Sequence, residues 1–175
     1  LLDMTSQIRV DSIVPTTGAP TNGGGGIIQI VQGNTGDRTA TSSSSYVATN
    51  LSATITPRFS TSKIYITLGG DANSNGSGNY LYMTYYRSIN GGTFANIAPN
   101  GSNDSNSVDS NYGFGMIYGA NSRIHCPVAL PFLDSPGTTS AVEYKVYIRS
   151  GSGTVEFPAN NNQQHGRIFL YEVSA

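Results

Sequence analysis

The sequence predicts an all-β fold: a jelly-roll-like β-sandwich preceded by an extended N-terminal arm, with an immunoglobulin-like sandwich as the alternative. Three observations predict it. Only 11% of the residues are charged, against roughly 25% in an average globular chain, and Gly, Ser, Thr and Asn stand in their place. These residues favour turns and strand edges over helices. Short runs of alternating apolar and polar residues, about eight to ten of them, recur at regular spacing with turn residues between. No stretch reads as a convincing amphipathic helix. The jelly roll comes first because it uses about eight strands joined by long connections.

The elements follow in order. Residues 1–26 stand apart as an arm, and 27–175 form the sandwich domain. Within the arm, Gln7 to Val14 alternates as a short strand would, with Ile8, Val10, Ile13 and Val14 as its apolar positions. Pro15 to Gly26 holds two prolines and a glycine run, the composition of a linker. Such a segment cannot build a core of its own. Its strand-like piece therefore reads as made to lie on a partner, and those four apolar residues are candidate partner contacts.

From Ile27 the pattern is regular. Ile27 to Val31, Tyr46-Val47, Leu51 to Ile55 and Lys63 to Leu68 are the first strands. Asn79 to Ile89 is a long one, with Leu81, Met83 and Tyr85 on one face and Tyr80, Tyr82 and Tyr86 on the other. Asn90-Gly91-Gly92 is a hairpin signal, returning through Thr93 to Ile97. Tyr112 to Tyr118 follows. Ile124 to Leu133, broken by Pro127 and Pro131, belongs at an edge or a bend. Val142 to Ile148, Thr154 to Phe157 and Arg167 to Val173 complete the set. Long polar loops are expected at 69–79, 98–111 and 158–166, the lengths at which loops are often functional.

Charge and cysteine narrow the function. The formal net charge is -1 and the nine Lys and Arg residues are scattered, so no basic cluster exists to release counterions from a nucleic acid. No apolar run approaches the roughly 20 residues that cross a bilayer, and the N-terminus lacks the basic and apolar blocks of a signal peptide. Soluble synthesis in a cytoplasm is the expectation. The single cysteine, Cys126, has no partner for an internal disulfide.

Candidate chemistry is sparse. His125 and Cys126 are adjacent on a predicted strand and so point to opposite faces, which argues against a dyad. The ten acids are spread singly, without the convergent pair that acid–base catalysis needs. Glu143, Lys145 and Arg149 share one strand face and read as a solvated exterior. No nucleophile elbow, Walker loop or zinc-protease motif occurs. A non-enzymatic protein with no catalytic residue, no metal and no cofactor is the expectation. Asp71 to Gly76 matches the start of a calcium loop, but its twelfth position is Tyr82 where the motif needs a bidentate Glu, so the loop reads as a β-connection. The tyrosines carry the strongest signal. Tyr80, Tyr82 and Tyr86 on one face suit a subunit interface, stacking on a sugar, or plain cross-strand packing. They join the arm residues as candidate partner contacts.

Ser6-Gln-Ile-Arg-Val-Asp-Ser-Ile-Val-Pro15, the glycine run and Ile27 to Val31 resemble the N-terminus of small virion structural proteins of tailed phages, cyanophages and other marine phages in particular. Leu133 to Val146 and Ile168 to Val173 resemble later segments of the same proteins. The resemblance implies a virion component made in the host cytoplasm. Its first form is a capsid cement or decoration protein on the capsid surface, commonly a homotrimer, bridging subunits of the major capsid protein. Its second is a tail-fibre or receptor-binding module for a cell-surface glycan. No shaft repeat is visible, which favours the first.

Overall fold

The computed structural model describes residues 26–75, 78–98, 113–119, 124–159 and 165–174. They form twelve strands: β1 (Ile27–Thr35), β2 (Thr39–Thr41), β3 (Val47–Ile55), β4 (Lys63–Asn75), β5 (Asn79–Ile89), β6 (Ala95–Asn96), β7 (Gly115–Gly119), β8 (Ile124–Ala129), β9 (Phe132–Asp134), β10 (Val142–Ser150), β11 (Thr154–Phe157) and β12 (Gly166–Val173). All strand pairs are antiparallel.

Two sheets result, each four strands wide. In sheet A the long strand β4 is central. β12 and then β11 run along one of its edges, and β9 and then β8 along the other, as the overlapping registers at Ile64–Ile66 and Asn73–Ser74 require. β1 and β2 flank β12 and β11. In sheet B the order is β3, β10, β5, with β6 and β7 sharing the far edge of β5. The first strand pairs with the last, β3 with β10, β4 with β8 and β9, and β5 with β6 and β7. This nested pairing, with β3, β4 and β5 alternating between sheets, is a jelly roll, which decides against the immunoglobulin-like order.

The core follows from strand alternation. Leu51, Ile55, Ile64, Ile66, Leu81, Met83, Tyr144, Val146, Ile148, Ile168 and Leu170 all turn inward and are buried. The sheets close tightly where β1 meets β3. A Cβ on Gly33 would lie 2.0 Å from the Ser52 carbonyl oxygen, so glycine alone fits there. The Asn90-Gly91 hairpin forms as its sequence predicts, with φ of 51° and 71° and Gly92 N–H donating to Ile89 O at 3.0 Å.

Several strand expectations need correction. Residues 69–75 are not a loop but the second half of β4. Gly70, Ala72 and Ser74 face inward there. These small residues give no apolar signal, yet Gly70 lies under the Phe157 ring, where a Cβ would meet it at 3.0 Å. Val47 and Leu51 to Ile55 belong to one strand, β3, with Tyr46 just before it. The return from the hairpin is only Ala95–Asn96, and β2 had no sequence signal. Ile124 to Leu133 lies on an outer edge of sheet A, as expected, and breaks at Leu130-Pro131, but Pro127 sits within β8 and does not break it. The arm residues Ile8, Val10, Ile13 and Val14, and most of loops 98–111 and 158–166, lie outside the described residues.

Candidate binding faces

Residues that point outward from sheet B form the first face. Tyr80, Tyr82 and Tyr86 stand on β5, as their spacing predicts, and Tyr85 turns into the core, where its hydroxyl donates to Leu130 O at 2.5 Å. The three outer rings are not isolated. Tyr80 meets Tyr118 of β7 with centroids 4.8 Å apart and stacks beside Tyr82 at 5.9 Å. The Arg149 guanidinium lies 4.0 Å from the Tyr82 centroid and 5.5 Å from that of Tyr46. Tyr46 meets Tyr86 edge-on at 6.2 Å, Tyr86 stacks on Tyr147 at 3.8 Å, and Tyr147 leads to Phe94, over which Lys145 Nζ sits at 4.8 Å.

Seven rings from several strands and loops thus make one continuous band. Cross-strand register builds it: Tyr80 faces Tyr118, Tyr82 faces Arg149 and Tyr86 faces Lys145. Thr84, between Tyr82 and Tyr86 on the same face, is fully buried although it points outward, and its hydroxyl donates to Asn96 Oδ1 at 2.9 Å. Burial, and then the neighbouring Tyr147, raises the Tyr86 phenol above its ordinary range; burial, and then Glu143, does the same to Tyr147. Strand β10 carries the largest departure from expectation. Glu143, Lys145 and Arg149 do share its outer face, but Lys145 pairs with Glu143 at 3.3 Å above Phe94 and Arg149 is packed among tyrosines. These cations belong to the band and not to a freely solvated exterior.

Sheet A presents a second face of different chemistry. Ile30, Tyr171, Tyr65 and Leu133 stand opposite one another on β1, β12, β4 and β9, a straight row about 14 Å long at the usual strand spacing. Ile30 is 56% exposed, Leu133 49% and Tyr65 39%. Tyr65 and Tyr171 are in ring contact at 6.0 Å, and Phe169 adjoins Tyr171. Lys63 on β4 and Arg167 on β12 lie on opposite sides of the row, both exposed and without an ion-pair partner among the described residues. The row had no sequence signal, because its members come from four strands whose order only the topology supplies.

The remaining candidates are absorbed by structure. His125 Nδ1 lies 3.0 Å from Asp71 Oδ2 on the outer face of sheet A. Cys126 faces the other way, into an apolar cavity of about 260 Å³ lined also by Met83, Ile117, Val128 and Leu130. Asn73 donates to Glu156 at 3.0 Å, and Glu156 also accepts from Arg38 at 2.6 Å. Asp71, Asn73 and Asn75 stand on an extended strand and point to one side at about 7 Å intervals, instead of wrapping round one ion as in a calcium loop. Among the described residues no three acidic, His or Cys side chains gather as metal ligands, and no helix is long and apolar enough to cross a membrane. No protein-family model matches the chain, and no curated protein matches it.

Proposed function

We propose that this chain is a virion structural protein of a tailed phage, a capsid cement or decoration protein that docks on the major capsid protein through the outer face of sheet A. The observation that carries the reading is the row Ile30–Tyr171–Tyr65–Leu133. Exposed aliphatic and aromatic side chains aligned across a rigid sheet are the composition of a docking centre. Lys63 and Arg167 at its borders suit a partner with an acidic rim.

A stable interface buries about 800 Å² per partner, more than four side chains supply. The arm adds the remainder. Residues 1–25 precede β1 in the sequence, and Ile8, Val10, Ile13 and Val14 are the apolar residues they offer a neighbouring sheet edge. Two linked contacts raise avidity through effective concentration, which is what holding two capsid subunits together requires. The resemblance of both chain ends to phage virion proteins supports the same reading and adds a homotrimer as the working assembly. The low charge density leaves few ions to desolvate on docking.

Co-sedimentation with shells of the major capsid protein tests the reading. The wild-type chain is expected to pellet with the shells and Leu133→Asp to remain in the supernatant. Equal pelleting of both would refute it. The tail-fibre reading rests on the aromatic band of sheet B, and predicts pelleting with tails instead.

A further inference from the structure

We propose that the apolar cavity between β7 and β8 is a binding site for a small uncharged aromatic molecule of one or two rings. This goes beyond capsid docking and does not rest on it, since the cavity belongs to neither outer face of the sandwich.

The two sheets close unequally. On one side Gly33 of β1 comes against the Ser52 carbonyl of β3, with no room for a methyl group. On the other, between β7 of sheet B and β8 of sheet A, an open cavity of about 260 Å³ remains. Strand alternation turns Ile117, Cys126 and Val128 inward, opposite Leu81, Ala72 and Gly70. All three stay half-buried, although Leu81 and Ala72 are fully buried. An unfilled space between the sheets leaves inward side chains in that state, where a close-packed interior would cover them.

The lining fixes the class of ligand. Met83, Ile117, Val128 and Leu130 are apolar, Cys126 adds a thiol, and no lining residue carries a charge. An ion would lose its hydration there without a partner, so the ligand is neutral. Met83 and Cys126 both bring sulfur, which makes favourable contacts with the edge of an aromatic ring. That selects an aromatic ring over a saturated one. Size agrees, since a cavity of about 150 Å³ holds one benzene ring. The floor is also firm: Met83 and Leu130 are buried, and the Leu130 carbonyl accepts from the Tyr85 hydroxyl, so little has to be ordered on binding. Water gains few hydrogen bonds from this lining, and displacing it favours the ligand.

Indole is the probe that tests the proposal. The chain contains no Trp, so indole fluorescence, excited where tyrosine does not absorb, reports on the probe alone. Titration with the full chain should give a saturable change with a Kd on the order of 0.1 mM, as a good ligand of this size allows. Indole at about ten times that Kd should slow alkylation of Cys126 by iodoacetamide about tenfold. Phenol should slow it more than cyclohexanol, which has the same hydroxyl on a saturated ring. Val128→Phe and, as a second filling variant, Ile117→Phe put a ring of their own into the space and should abolish the saturable change. Leu133→Asp, on the docking row, should bind indole as the wild type does. A wild-type chain that does not bind indole, or binds it without slower alkylation of Cys126, overturns the proposal. So does an unchanged Kd in a filling variant that still unfolds cooperatively, or equal protection by phenol and cyclohexanol.

Discussion

The Arg87 guanidinium on β5 donates through Nη1 to both carboxylate oxygens of Asp134 on β9, at 2.9 and 2.7 Å, and so ties sheet B to sheet A. The Tyr144 hydroxyl donates to the same carboxylate at 2.7 Å. Asp134 is nearly buried, and each of its partners sits on a different strand of the opposite sheet. Removing the carboxylate leaves a cation and a phenol without their acceptor. Asp134→Ala is expected to cost about 3 kcal/mol in urea unfolding, and the double change Arg87→Met with Asp134→Leu to recover part of that loss. A single variant as stable as the wild type would show that the bridge is not what joins the sheets here.

Alkaline stability follows from the buried phenols. Burial raises Tyr85, with Tyr65 adding to it; burial raises Tyr144, with the Asp134 charge and hydrogen bond adding to it. In the unfolded chain these phenols lose their protons near pH 10. Above that pH the unfolded state binds fewer protons than the folded one, so stability is full below about pH 10 and falls as pH rises, by about 1.4 kcal/mol per unit for each such tyrosine. Urea midpoints between pH 8 and 11 should show the decline. Tyr85→Phe should flatten it while lowering stability near neutrality by about 1 kcal/mol for the lost bond to Leu130.

Closure of the sandwich at Gly33 is equally testable. An added methyl group there meets a backbone oxygen rather than a flexible side chain, so β1 and β3 must part to admit it. Gly33→Ala is expected to destabilise the fold by about 2–3 kcal/mol, read as a lowered thermal midpoint. Gly91→Asn, at a turn position where asparagine tolerates positive φ, should change it little.

Deleting residues 1–25 separates the two parts of the chain. Two prolines and a glycine run give the arm the composition of a linker and not of a core-forming segment, so the truncated protein should keep its thermal midpoint and circular dichroism spectrum. On the proposed capsid reading its binding to capsid shells should weaken, because one of the two proposed contacts is gone. Unchanged affinity would remove the arm from the docking account.

Alternation made the inner face of β5, β10 and β12 legible, since Leu81-Met83-Tyr85 and Val142-Tyr144-Val146-Ile148 declare their period directly. It also put Tyr80, Tyr82 and Tyr86 on one outer face. It failed along Gly69 to Asn75, where small inward residues and paired polar outward ones imitate a loop. The two candidate faces were only partly readable for a different reason. Tyr118, Tyr147 and Arg149 join the β5 tyrosines through cross-strand register, and Ile30 meets Leu133's row through a sheet order that places the first strand beside the last. Neither relation is local in sequence.

The most direct measurement of the proposal that this chain is a phage capsid protein is immunogold labelling of intact tailed-phage virions. Label distributed over the head is the predicted result, and Leu133→Asp introduced into the phage should remove it. Label confined to the tail or fibre tips, or virions free of the protein, would contradict capsid docking.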